Sequence, residues 1–234
     1  MTDFMKTIQF KVTFFVGIYI VISFPIALYL RNFLHIFMGW NLILALVPLY
    51  ASYLFRALES KKSQTKKQPI LLVLIFFVWL FFLPNTFYVI TDLIHLGSRD
   101  FYFQSSFYMP WDYIEDIKNY LALTHIFVGA IISLTAGVIS LSDMQQFVRG
   151  KYNQSLSIFF VLVVLFLSSI AIYIGRFLRF NSWDILHPLH LLETLFNRVD
   201  LFFIQFVFLF WLVQIIVYFY FRALFKNRVG VKIE

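Results

Sequence analysis

Apolar runs of about twenty residues alternate along the chain with short polar segments. A bilayer core roughly 30 Å thick takes about 20 apolar residues as a helix. The pattern therefore predicts six membrane-spanning helices, at 12–30, 36–55, 70 to about 90, 120–141, 157–174 and 201–221. The first run is long enough to span, and no small-residue cleavage site follows it, so it reads as a retained helix rather than a removed signal. The connections are short and no internal repeat is visible. The expected fold is all-α, a polytopic transmembrane bundle forming one domain over residues 1–234.

One run departs from the apolar pattern before it ends. The stretch "LPNTFYVITDLIHL" puts Pro84, Asn85, Asp92 and His95 where hydrocarbon is expected. At 1.5 Å per residue, Pro84 lies about 21 Å along the third helix, in its outer third. Proline removes a backbone donor and crowds the preceding turn, so the third helix is expected to break at Pro84. In lipid, the freed backbone groups need protein or water partners, which turns the break toward other helices or a hydrated cavity. Asn85, Tyr88, Asp92 and His95 follow at spacings of three, four and three, one stripe of a helix. That stripe is either a binding or catalytic face or a kink whose polar groups satisfy exposed backbone. An ionisable residue at membrane depth favours function.

Composition supports the membrane reading: 61% of residues are hydrophobic, 13% charged, and Phe alone occurs 32 times. A soluble domain has roughly 45–50% apolar and 25% charged residues. There is no cysteine, which excludes disulfides, thiolate metal sites and a cysteine nucleophile. Lys and Arg resist translocation. With the first residues placed inside, the inner segments carry 13 of the 19 basic residues and the outer segments 6. Both termini are thus expected in the cytoplasm of a bacterial plasma membrane. Eight of the 12 acids fall on the outer side, which locates the chemistry there. The run "RALESKKSQTKKQ" is a topology signal facing anionic lipid rather than a nucleic-acid site.

A second polar cluster, "GRFLRFNSWDILHPLHLLETL", follows the fifth span. Arg176 and Arg179, three apart, are expected on one helical face, where guanidinium forks match phosphate or carboxylate oxygens. They either hold an anionic head group or pair with Asp92, Asp112 or Asp184. Asn181 ahead of Asp184 resembles a helix cap, Trp183 suits the interfacial aromatic belt, and the residues beyond predict a short interfacial helix. The acidic, aromatic loop containing Trp111, Asp112 and Tyr113 is either an interfacial belt or a lid over the site.

Asp92 with His95, and His187 with His190 and Glu193, supply ligand-type residues at i,i+3 spacing, but neither set matches a strict ligand motif, and no metal is assigned. His35 and His125 read as packing or interface residues. No phosphate-binding glycine loop, nucleophile elbow or zinc-peptidase motif is present, and the sequence specifies no cofactor.

The pair "FFLPNTFYVITDLIHL" and "IGRFLRFNSWDIL", flanking a loop with "WDY", resembles a family of small bacterial membrane proteins known as domain of unknown function thirteen sixty-one. The resemblance spans roughly residues 40 to 220, and at the usual Ala and second Pro of "LPNAPY" this chain has Thr86 and Phe87. It implies membrane location and no particular activity. The functional expectation is an outward polar pocket for an anionic lipid or cell-envelope intermediate. Asn85, Tyr88, Asp112, Arg176, Arg179, Asn181 and Trp183 would bind it, with Asp92, His95 and Asp184 as acid or base. The alternatives are a non-catalytic scaffold or subunit and a small transporter.

Overall fold

The computed structural model describes residues 2–61, 67–104, 111–180, 189, 193–195 and 198–225, with side chains described for all of these except 2–6 and 225. Six helices are long and apolar enough to cross a membrane, as expected. They are α1 (Thr2–Leu30), α2 (Leu34–Glu59), α3 (Gln68–Tyr88), α4 (Ile117–Lys151), α5 (Gln154–Tyr173) and α6 (Leu201–Phe225). Local chemistry sets several of their ends. Arg31, at φ 51°, turns the chain out of α1, and Asn32 Oδ1 accepts from Leu34 N at 2.9 Å to start α2. Asp116 caps α4 by accepting from Lys118 N, and Asn153 caps α5 by accepting from Leu156 N, each supplying an acceptor to an otherwise unpaired helical donor. Asp200 Oδ1 does the same for Phe203 N in α6.

Helix α4 is the centre. Its most apolar window is 56% buried, against 17% for α6 and 28% for α1. Lipid offers no hydrophobic drive between helices, so close packing by small residues and interhelical hydrogen bonds must hold them. Helix α4 carries Gly129, Ala130, Ser133, Ala136, Gly137 and Ser140 at spacings of one to four. A Cβ on Gly129 would lie 2.5 Å from Tyr19 Oη of α1, and one on Gly137 would lie 2.7 Å from Thr86 Cβ of α3. Neither helix could sit where it does against a larger residue. Ser140 Oγ accepts from Trp79 Nε1 at 2.8 Å and donates to Pro48 O at 2.7 Å, joining α3, α4 and α2 through one hydroxyl. Trp79, Leu83, Phe87, Leu165 and Tyr218 belong to one buried cluster, and Tyr19, Met38, Leu42, Val89 and Ile126 to a second.

The third span changes its geometry past the proline. Helix α3 runs through Pro84 as far as Tyr88, and a 3-10 helix then occupies Val89–Ser98. The expected break is thus realised one turn beyond Pro84. Carbonyls through this stretch receive side-chain donors: Phe82 O from Asn85 Nδ2, Leu83 O from Thr86 Oγ1 and Tyr88 O from Thr91 Oγ1. Ser133 Oγ of α4 reaches Thr86 O at 2.9 Å, a neighbouring helix supplying the polar partner that lipid cannot.

Two features were not expected from the sequence. Residues 102–104 and 111–113 pair as a two-stranded antiparallel hairpin, β1 (Tyr102–Gln104) with β2 (Trp111–Tyr113), placing Asp112 opposite Phe103. Helix α5 also continues as a π-helical turn over Ile174–Leu178, ended by Arg179 at φ 58°.

Candidate functional site at one end of the bundle

The 3-10 segment and the π turn meet at the end of the bundle that also carries the α1–α2 turn and the hairpin. A 3-10 helix has three residues per turn, so Val89, Asp92, His95 and Ser98 lie in one line. Asp92 and His95 are thereby stacked on the face that Arg176 approaches.

Arg176 is the hub. Its Nη2 donates to Asp92 Oδ1 at 2.6 Å, and its Nε donates to Thr91 Oγ1 at 2.9 Å. Nη2 also contacts Thr91 Oγ1. Nη1 approaches only His95 Nε2, at 3.5 Å, among the described residues. The guanidinium carbon lies 4.5 Å from the centre of the Tyr88 ring, a cation–π arrangement. A Cβ on Gly175 would sit 3.3 Å from Tyr88 Cε2, so glycine at that position lets the π turn come close to the ring.

Asp92 is buried, its side chain 4% exposed, and accepts a further bond from Asn41 Nδ2 of α2 at 3.2 Å. His95 Nε2 lies 3.9 Å from Asp92 Oδ1, and its side chain is 42% exposed. Arg176, 15% exposed, is intermediate. One edge of its fork is therefore fixed by a buried carboxylate and a hydroxyl, while the other adjoins the accessible histidine.

Tyr88, Asp92, His95 and Arg176 come together as the sequence predicted. Other expectations change. Asn85 lies in α3, ahead of the 3-10 segment, and its Nδ2 donates to Phe82 O of its own helix. Arg179 does not share a face with Arg176. The π turn is wider than an α turn, and Arg179 has already left helical backbone, exposed and without an ion pair among the described residues. Asp112 is exposed on the hairpin and makes no hydrogen bond or ion pair to Asp92, His95 or Arg176. Asn181, Trp183 and Asp184 lie outside the described residues, as do His187 and His190 and most of the expected interfacial helix.

The sequence reading missed Thr91 and Asn41. A lone amide inside the apolar run of α2 was the available signal for Asn41, and a hydroxyl beside Asp92 was the signal for Thr91. Among the described residues, no group of three or more His, Asp or Glu is arranged to hold a metal ion.

Beyond the 3-10 segment an open cavity of about 440 Å³ is lined by Ser98, Arg99, Asp100, Ile114, Asp116 and Asn119. Arg99 Nη1 donates to Asn119 Oδ1 at 3.1 Å, and Asn119 Nδ2 to Asp100 O at 2.6 Å, so its wall is cross-linked. At the opposite end of the bundle, Arg56 pairs with buried Asp143 at 3.5 Å, and Tyr218 Oη donates to Gln145 Oε1 at 2.7 Å with Arg222 on the same oxygen.

A family model described as "Protein of unknown function (DUF1361)" matches residues 40–217, 178 of the 234 positions. The chain belongs to this family. Every described member of the DUF1361 site, from Asn41 through Asp92 to Arg176, falls inside the matched range. No curated protein and no solved structure matches the chain.

Proposed function

We propose that this DUF1361 protein lies in a bacterial plasma membrane with the Arg176 end facing outward, and that this end binds an anionic lipid head group or cell-envelope intermediate. The excess of basic residues in the alternate connections supports that orientation, with both termini cytoplasmic. The observation that carries the reading is the half-committed guanidinium. Asp92 and Thr91 hold one edge of Arg176 in place, and Nη1, beside exposed His95, remains as a pre-oriented donor for a phosphate or carboxylate oxygen. Arg179, exposed three residues on, adds a second positive charge at the same boundary.

In this reading Asp92 is a positioning residue rather than a proton carrier, since its carboxylate is buried and accepts from both Arg176 and Asn41. His95 is the group a ligand reaches, and imidazole can move a proton near neutral pH. If the bound intermediate is processed as well as held, His95 is the acid or base.

A strain lacking the gene, complemented with wild type, Arg176→Ala or His95→Gln, tests this by untargeted profiling of lipids and envelope precursors, with membrane levels of each variant measured in parallel. Accumulation of one precursor in both the deletion and a normally inserted Arg176→Ala strain supports the site and names its ligand. Restoration of the wild-type profile by that variant refutes it.

A second reading is a non-catalytic scaffold. It is favoured by the buried Asp92–Arg176 pair, which ties the end of the third span to the end of α5 as a structural cross-link would. In that case loss of Arg176 lowers the amount of inserted protein, and whatever remains inserted is fully functional.

A further inference from the structure

A second set of polar side chains is buried between α1, α2 and α4, and the proposed site does not use it. His35 is 1% exposed, Tyr19 4%, His125 5% and Ser23 2%. His35 Nδ1 faces His125 Nδ1 at 3.0 Å. Ser23 Oγ lies 2.9 Å from His125 Nε2 and 2.7 Å from Tyr19 O. Tyr19 Oη lies 3.0 Å from His125 Nδ1 and donates to His125 O at 3.1 Å, and its ring stacks on the imidazole. These histidines were expected to be packing or interface residues. Tyr19, Ser23 and His35 also precede the residues matched by the family model.

One assignment of hydrogens meets these contacts. In it the Ser23 hydroxyl gives its one hydrogen to the carbonyl of Tyr19. His125 Nε2 then has to be the donor to Ser23 Oγ. A neutral imidazole carries one N–H, so His125 Nδ1 is an acceptor and His35 Nδ1 supplies the hydrogen between the two rings. Both histidines are neutral in this assignment, with the lone pair of His35 on Nε2. The 3.0 Å separation is that of an N–H···N bond. Two ligands of a tetrahedral zinc, each about 2.0 Å from the ion, would stand about 3.3 Å apart, so the gap fits a proton better than a metal.

We propose that His35 and His125 form a proton-binding and transfer site inside the membrane that takes one excess proton and not two. A proton arriving at His35 Nε2 makes that ring an imidazolium without disturbing the bond between the rings. Its Nδ1–H bond then breaks as a new bond forms at His125 Nδ1. His35 is left neutral with hydrogen on Nε2, and His125 carries the charge with hydrogen on both nitrogens. One N–H is lost, one is gained, and the positive charge has moved one ring inward. A second proton would set two N–H groups against each other at 3.0 Å, and no acid of the set compensates it. The charged groups in electrostatic reach are Arg99 toward His35, Asp92 toward Tyr19, and the two histidines toward each other. Helix α2 carries both His35 and, six residues on, Asn41, which bonds Asp92, so the same helix contributes to this site and to the site around Arg176.

The test is nitrogen-15 NMR of the full-length protein in lipid bilayers with labelled histidine, titrated from about pH 8 down to about pH 3, because burial and the neighbouring positive groups disfavour imidazolium. The chain has 5 histidines, and His35→Gln and His125→Gln assign the two of interest. The expected result is a through-bond coupling between two Nδ1 nuclei, with the pair binding one proton and both rings shifting together. Each substitution should abolish the coupling and leave the other ring titrating alone. Independent uptake of two protons, absence of the coupling in the wild-type protein, or stoichiometric metal in the purified protein overturns the proposal. The wild-type spectrum decides the matter even if a variant fails to fold.

Discussion

Removing the Asp92 carboxylate should destabilise the folded protein by about 3 kcal/mol, at the lower end of the cost of breaking one partner of a buried ion pair. Two hydrogen bonds converge on that carboxylate, from Arg176 Nη2 at 2.6 Å and Asn41 Nδ2 at 3.2 Å, with His95 Nε2 at 3.9 Å. After Asp92→Ala the guanidinium keeps Thr91 and the Tyr88 ring and loses its counter-charge in a position only 15% exposed. That residual contact with solvent places the value at the low end of the range. Arg176→Ala should cost a similar amount, because Asp92, 4% exposed, then has Asn41 Nδ2, at 3.2 Å, as its one hydrogen-bond donor among the described residues. The double variant removes both charges together, so its loss should fall short of the sum of the single losses by about 2 kcal/mol. The assay is reversible unfolding of the purified full-length protein in mixed micelles, read for the four chains of the cycle. Additivity of the two single losses to within about 0.5 kcal/mol would show that the groups act independently and would refute the argument.

Three further outcomes follow from the packing of α4. Gly137→Ala forces a Cβ against the Thr86 side chain and should cost about 1–3 kcal/mol as overpacking, and Thr86→Ala in the same chain should recover most of it in the same unfolding assay. Trp79→Phe deletes the donor to Ser140 in a fully buried contact and should lose about 1–3 kcal/mol; wild-type stability in that variant would show that the Trp79–Ser140–Pro48 relay contributes nothing. Ser133→Ala strips Thr86 O of its donor from α4 and should lose about 1 kcal/mol, with faster hydrogen exchange at the start of the 3-10 segment as the local readout.

The number and approximate position of the spans were legible in the sequence, because bilayer thickness dictates the length of an apolar run and polar connections interrupt it. The location of the candidate site was legible for a related reason. Asp92, His95 and Arg176 stand out against hydrocarbon, and charged groups there require partners. Which partners they have was not legible. Helix α3 is apolar nearly all round, so its sequence does not distinguish the face toward α4 from the face toward lipid, and the pairing of Thr86 with Gly137 has no one-dimensional signature. The 3-10 geometry from Val89 sets Asp92 and His95 in line, and just ahead of it the carbonyl of Thr86 takes a donor, Ser133, that arrives from another helix. The π turn likewise separates Arg176 from Arg179, although their spacing suggested a shared face. Asn41, Tyr19 and His125 acquire their roles only when three helices meet. Sequence determined where this chain crosses the membrane and which residues are costly to bury there. The tertiary structure decided which of them share protons and charge, because hydrogen bonds act over about 3 Å and only packing brings distant helices within that distance.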